Sequence, residues 1–150
     1  MLSFSTLAMM SAQDMGVLDM IGKVCLFSEV YGVITYAGEP VSGATVTRWV
    51  EWRQKSSDSV RTAQDGSFRL PALYKASLLA TLLPIPFRAA QTIYVDVNGT
   101  EHLIWSTIKI GPAPNDELAG RPLRFTCELT RERRYVHLGA ASIESNCEWR

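Results

Sequence analysis

The stretch from Tyr31 to Leu70, YGVITYAGEPVSGATVTRWVEWRQKSSDSVRTAQDGSFRL, constrains the fold of this chain more than any other. Val30, Gly32, Val33 and Ile34 lead into Ala37-Gly38-Glu39-Pro40, and apolar residues resume at Val41-Ser42-Gly43-Ala44-Thr45-Val46. A glycine free to take positive φ stands close to a proline that fixes φ and donates no backbone hydrogen, which predicts a turn with the flanking runs folded back as a hairpin. From Thr45 to Arg53 the side chains alternate. Thr45, Thr47, Trp49, Glu51 and Arg53 take one side, and Val46, Arg48, Val50 and Trp52 take the other. Neither side is cleanly apolar, so one face is expected on the core and a second, tryptophan-bearing face only partly covered. Asp65-Gly66, between SDSVRTAQ and SFRLP, is the strongest short hairpin signal in the chain.

The remaining segments extend the same pattern. Strands are predicted at Lys23 to Phe27, Tyr31 to Tyr36, Thr45 to Arg53, Ser59 to Thr62 and Phe68 to Leu70, with the third and fourth joined across a polar connection, Gln54 to Asp58. Leu73, Tyr74, Leu78, Leu79, Leu82 and Leu83 fall at near-helical spacing between Pro71 and Pro84, which predicts one or two helical turns. This leucine insertion either caps the open end of a sandwich or is displayed for docking. Pro84-Ile85-Pro86-Phe87 is expected to leave it extended. Gln91 to Val97 alternates, Asn98-Gly99 is a type I′ turn, and the strand from His102 to Ile110 follows, with Leu103, Trp105 and Thr107 opposing Ile104, Ser106 and Ile108. Gly111 to Pro122 reads as a long irregular loop. Leu123, Phe125, Cys127 and Leu129 share one face of a last strand. The expected architecture is all-β, an antiparallel β-sandwich of about seven to eight strands, with the short helical insertion near Leu73 to Leu83. Residues 1–22 form a leader, 23–131 the sandwich and 132–150 a polar, partly mobile tail.

Gly32-Val33-Ile34-Thr35, Gly38-Glu39-Pro40-Val41-Ser42-Gly43-Ala44-Thr45-Val46, Asp65-Gly66-Ser67-Phe68 and Leu70-Pro71 together resemble the pattern of carboxypeptidase regulatory-like (transthyretin-like) β-sandwich domains. The resemblance implies a small antiparallel sandwich that acts as a folding partner, stalk or binding module, and it implies no chemistry. The enzymatic branch of the transthyretin-like families carries histidines and a terminal Tyr-Arg-Gly-Ser motif that this chain lacks. More loosely, Lys23 to Thr130 is similar to small uncharacterised bacterial proteins that share a Lys-Val-Cys-Leu-Phe opening, an Ile-Tyr-Val-x-x-Asn-Gly middle, a Trp-Ser-Thr segment and a Cys-Glu-Leu-Thr ending. That similarity implies an association with gene clusters delivering toxins through type VI secretion.

Charge and composition exclude several classes. Lys+Arg and Asp+Glu are both 15, so no net charge steers the chain toward nucleic acid or an anionic membrane. Three cysteines are an odd number, which argues against a complete disulfide framework. Cys25 and Cys127 read as small buried hydrophobes and Cys147 as exposed in the polar tail, a pattern that suits a reducing, cytoplasmic compartment. Met1 to Met20 lacks a basic n-region and is interrupted by Gln13, Asp14 and Asp19, so it is not read as a signal peptide. Leu7, Met9, Met10, Met15, Leu18 and Met20 suit either a short amphipathic helix that grips a partner or a disordered leader. No stretch approaches the ~20 apolar residues of a membrane-spanning helix. The two histidines, His102 and His137, lie at no metal-ligand spacing, and no phosphate loop or nucleophile elbow is present. A hydrolase using Cys25 or His102 is the weakest reading, because apolar neighbours raise and hide the thiol. No catalytic residue, cofactor or metal is expected.

Aromatic residues remain conspicuous. Trp49 and Trp52, three positions apart on one strand, face opposite sides, so at most one sits fully in the core. Tryptophan, tyrosine and arginine are enriched at interface hot spots. Trp49 or Trp52, with Arg48 or Arg53, therefore marks a candidate protein-binding face unless the same chain covers it, and Leu78, Leu79 and Leu82 supply a second candidate. The function expected is non-enzymatic protein binding, as a chaperone-like adaptor for a secreted toxin or a component of its delivery. The alternatives are an immunity protein that neutralises a cognate toxin, and a carbohydrate- or small-ligand-binding sandwich.

Overall fold

The computed structural model describes residues 22–83 and 86–149. The leader before Gly22, with its methionine-rich pattern, and the exit through Pro84-Ile85 lie outside the described residues. Within them the fold is an all-β sandwich, predominantly antiparallel. One sheet has six strands, in the order β11 (Arg134–Leu138), β12 (Ala141–Ser145), β9 (Thr100–Ile110), β8 (Arg88–Val97), β4 (Thr45–Trp52) and β5 (Gln54–Arg61). The other runs β13 (Cys147–Trp149), β10 (Leu123–Glu128), β2 (Val30–Tyr36), with β3 (Glu39–Pro40) and β6 (Ser67–Leu70) both pairing β2. A two-stranded ribbon of β1 (Lys23–Phe27) and β7 (Leu73–Ala76) completes the sheets. The strands outnumber the seven to eight expected because turns divide the chain into short pieces.

Alternation decides which side of each strand faces in. Val46, Arg48, Val50 and Trp52 are buried on β4, as are Ala89, Gln91, Ile93 and Val95 on β8 and Leu123, Phe125 and Cys127 on β10. Trp105 is fully buried, with its ring stacked on Phe125 at 4.8 Å between centroids and edge-on to Trp149 at 5.9 Å. Rings so arranged add about 0.5–1.5 kcal/mol per pair beyond the area they bury.

Several expectations are corrected by the pairing. The connection from Gln54 to Asp58 is strand: β4 and β5 turn at Arg53, which takes a left-handed φ of 63°. Asp65-Gly66 does form a turn, and Asp65 Oδ1 accepts from Ser67 N at 3.0 Å. It joins no hairpin, however, because β5 pairs β4 while β6 pairs β2 in the opposite sheet. Gly66 is needed at that crossing. Its carbonyl accepts from Ile34 N at 2.9 Å, and a Cβ on it would stand 2.4 Å from the Ile34 carbonyl oxygen at a φ of 80°. The turn after β2 is likewise a short hairpin, Tyr36 pairing Glu39 across Ala37-Gly38, before the chain crosses to β4.

The helical insertion is smaller than its leucine spacing suggests. Leu73–Ala76 is strand, paired with β1, and only Leu78–Leu82 is helix, named α1 here. On β9 the alternation breaks at a bulge: Ile93 pairs Trp105 and Tyr94 pairs Leu103. Ile104 is the extra residue, and it is buried together with Trp105. The loop after β9 holds a 3-10 turn, Asp116–Leu118, whose Glu117 and Leu118 are buried.

The C-terminal region is not a mobile tail. β11 and β12 form a hairpin, β12 extends β9, and β13 pairs β10 with Cys127 and Cys147 directly opposed and disulfide-bonded. Val136, Leu138 and Trp149 pack partly buried against the core, and Ile143 and Cys147 are fully buried. The buried polar groups between them are satisfied: Ser145 Oγ donates to the Ile104 carbonyl at 2.6 Å and accepts from Cys147 N at 2.9 Å. Cys147 is therefore neither exposed nor free, and Cys25 is left as the unpaired cysteine, buried.

Candidate functional site

The expected binding residues are divided among three places. Trp52 is on the buried side of β4, its ring 5.6 Å from that of Phe87, and the exposed Arg53 guanidinium lies 4.5 Å from the Trp52 ring centre. Trp49 points to the outside of the six-stranded sheet, 36% exposed, with Lys55 Nζ 4.9 Å from its ring centre. Ile108 and Ile110 of β9 are exposed as well, Ile108 pairing Ala90, which pairs Glu51 two positions along β4 from Trp49. Leu78, Leu79 and Leu82 on α1 are 65%, 60% and 76% exposed. Alternation thus separates the two tryptophans as predicted, and Trp49 is the one left outside.

Arg48 does not belong to any surface. Its side chain is wholly buried. Nε and Nη2 donate to the two Asp58 carboxylate oxygens at 2.9 and 2.7 Å, Nη1 donates to the Pro71 carbonyl at 2.7 Å, and the guanidinium sits 5.0 Å from the Phe27 ring centre. It ties β4 and β5 to the β6–β7 connection, and the role of partner contact is withdrawn from it. Sequence alternation had already put Arg48 beside Val46 and Val50, which was the signal that it faces in.

A second buried polar cluster lies beneath β1. Glu117 accepts from Ser28 N at 2.8 Å, Ser28 Oγ at 2.7 Å and Gln91 Nε2 at 3.0 Å, while Gln91 Oε1 accepts from Trp105 Nε1 at 3.1 Å. Lys109 Nζ donates to the Gly111 and Ala113 carbonyls, both at 2.6 Å. Burial pushes the Lys109 pKa down and the Cys25 thiol up. Each buried side-chain polar atom among the described residues has a partner, so the cluster reads as a lock between the 3-10 turn and the β1–β2 connection. Burial disfavours the thiolate that nucleophilic chemistry at Cys25 would need. His102 is not brought to Cys25: it stands on β9 with its ring 6.5 Å from Tyr36, whereas Cys25 pairs Tyr74 on the ribbon. Among the described residues no three His, Cys, Asp or Glu side chains gather as a metal site.

Two surface concavities stand out. One, of about 650 Å³, lies at an end of the sandwich between the β2–β3 and β8–β9 turns and is lined by Tyr36, Glu39, Asp96, Asn98 and His102. The other, about 910 Å³, lies against the five-stranded sheet. It spans β6, β2, β10 and β13. Inward side chains of Phe68, Phe125 and Trp149, with Gly32 among them, leave the outer surface at their level to backbone. The flanking outward rows rise as walls: Tyr31 and Arg124 on one side, and Ser67, Val33, Thr126 and Glu148 on the other. Sequence reading missed this trough, because its walls come from strands about ninety residues apart (Tyr31 and Arg124 pair in register) and no single stretch displays them.

Residues 30–132 match the model of a family described as a domain of unknown function, DUF6795. No curated protein and no solved structure matches the chain. Among the described residues no helix is long and apolar enough to cross a membrane.

Proposed function

We propose that this chain, which belongs to the DUF6795 family, is a non-enzymatic protein-binding module acting as a chaperone-like adaptor for a secreted bacterial toxin. The observation that carries the reading is the display of Leu78, Leu79 and Leu82 on one short helix, each at least 60% exposed. Apolar side chains clustered in this way mark interaction surfaces more often than scattered single ones do. Trp49 adds a half-exposed aromatic of the type that anchors interfaces. The resemblance of Gly38-Glu39-Pro40-Val41-Ser42-Gly43-Ala44 to carboxypeptidase regulatory-like domains points to a binding module, and the looser similarity to proteins of toxin-delivery clusters supplies the class of partner.

The disulfide opposes the cytoplasmic placement that the odd cysteine count suggested, since the cytoplasm keeps such pairs reduced. An adaptor that works in the cytoplasm carries Cys127 and Cys147 as thiols, and one that travels with its cargo carries them bonded.

A tagged pull-down from the host, sized in solution, tests the reading. A stoichiometric toxin or delivery component, lost from a Leu79→Glu/Leu82→Glu variant that still folds, is the expected result. A partner that binds this variant and Trp49→Ala as tightly as the native chain overturns the assignment of both surfaces. Rescue from a partner's toxicity without any effect on its delivery would make the chain an immunity protein.

A further inference from the structure

We infer that the trough on the five-stranded sheet is a second binding site, one that receives an extended, acidic segment of a partner protein lying across the strands. The inference rests on the protein-binding reading but assigns a surface on the opposite sheet from Trp49.

The geometry sets the kind of occupant. Outward rows two positions apart on a strand are roughly 6.6 Å apart from centre to centre, so an occupant's backbone lies along the mouth of the trough and its side chains reach between the walls. Four strands at about 4.8 Å spacing make the trough roughly 14 Å long, the reach of about four extended residues. The wall residues Val33, Ser67 and Thr126 are small, so they leave room for side chains of an occupant. Tyr31, 47% exposed, provides an aromatic surface on the facing wall.

Charge sets its sign. Arg69 is ion-paired with Glu29 at 2.6 Å and lies 5.7 Å from the Tyr31 ring centre. Glu148 is ion-paired with Arg131 at 2.9 Å. Arg124, next to Tyr31 in register, has no ion-pair partner among the described residues. Among the described residues the trough therefore carries one positive charge without an ion-pair partner, set beside an aromatic ring. A carboxylate from an incoming segment meets the Arg124 guanidinium as a charge-assisted hydrogen bond, while its neighbours pack on Tyr31 and Val33. A nucleic acid would need several backbone cations, and among the described residues of the trough one is without an ion-pair partner.

A display library of random linear peptides is the probe, selected against the whole native chain and against three variants. Native protein is expected to enrich peptides with Asp or Glu at a fixed position. Arg124→Glu should bind those peptides roughly tenfold or more weakly. Thr126→Trp, which fills the trough from an exposed position, should lose them altogether, and Trp49→Ala should keep them. Enrichment without an acidic position, or peptides retained by Thr126→Trp, overturns the inference. Peptides lost only from Trp49→Ala overturn it too, while leaving the protein-binding reading intact. No enrichment at all overturns the trough as a peptide site, and the pull-down with the leucine variant then judges the broader reading independently.

Discussion

A guanidinium taken out of water must find acceptors for its five N–H groups, and Arg48 places three of them on Asp58 and the Pro71 carbonyl. Removing it leaves a carboxylate and a carbonyl without their donor. Asp58 is partly open to water, so Arg48→Met is expected to cost about 2–3 kcal/mol in urea unfolding, below the full cost of breaking a dry pair. Arg53→Ala, which removes an exposed guanidinium from the Trp52 ring, should cost less, about 0.5–1 kcal/mol. Glu117 poses the inverse problem, a carboxylate that takes three donors. Glu117→Gln turns an amide N–H₂ toward one of them and should destabilise by about 2 kcal/mol by the same measurement.

Glu128 works at the surface. It accepts from the hydroxyl and amide of Thr130, from the Gly38 and Ala37 amides and from Thr35 Oγ1. Those hydrogen bonds, led by Thr130, lower its pKa from 4.5 to about 2. A pKa lower in the folded state means that the stabilisation is present above the unfolded value and is lost as pH falls from about 4.5 through about 2. The stability gap between native protein and Glu128→Gln should therefore close across that window in pH-dependent urea melts. A gap that is the same at pH 6 and at pH 2 would refute the assignment.

At the level of elements, β13 is three residues long and would be a weak edge strand on its own. The Cys127–Cys147 disulfide, spanning 20 residues, and the packing of Trp149 on Trp105 and Phe125 hold it. Cys147→Ser should lower stability by about 3 kcal/mol, the denatured-state entropy released by a loop of that size, read in denaturant without reductant. Gly32 faces in where Phe68 already fills the space, with a Cβ position 2.3 Å from that ring. Gly32→Ala is thus expected to cost about 1–3 kcal/mol by overpacking.

The same elements show what the sequence disclosed and what it hid. Strands with strict alternation, β4, β8 and β10, were legible because one face of each is buried along its whole length. The turns at Ala37-Gly38 and Asn98-Gly99 were legible from Gly38, Asn98 and Gly99, residues suited to positive φ. The crossing at Gly66 was legible as a turn and illegible as a crossing, since its partner is a backbone carbonyl more than thirty residues away. β11 to β13 were missed because each is short, with its apolar pair (Val136 and Leu138, Ala141 and Ile143, Cys147 and Trp149) set among Arg, Glu, His and Ser, and because the strands that β12 and β13 pair with, β9 and β10, lie far away in sequence. Trp49 on the candidate surface followed from local alternation. The trough did not, because it exists only once β2 and β10 lie side by side.

Across the whole molecule, one covalent fact separates the two compartments. Alkylation of unfolded protein isolated from its host under thiol-trapping conditions should modify one cysteine, Cys25, if the chain resides where disulfides persist, and three if it is kept reduced. Mass spectrometry distinguishes the two directly.

The parallel pairing of β2 with β10 joins residues near the beginning of the sandwich to residues near its close, Val30 meeting Leu123 and Thr35 meeting Glu128. A nascent chain can form the β2–β3 and β2–β6 pairs early, but the opposite border of β2 stays open until β10 has been synthesised. At 5–20 residues per second that interval is roughly 5–20 s. For that time β2 lacks the neighbouring strand that completes its sheet, and its open edge is a template for another unfinished chain. Translation speed between residues 36 and 128 therefore governs yield, and slowing it should raise the aggregated fraction while leaving the finished protein's stability unchanged.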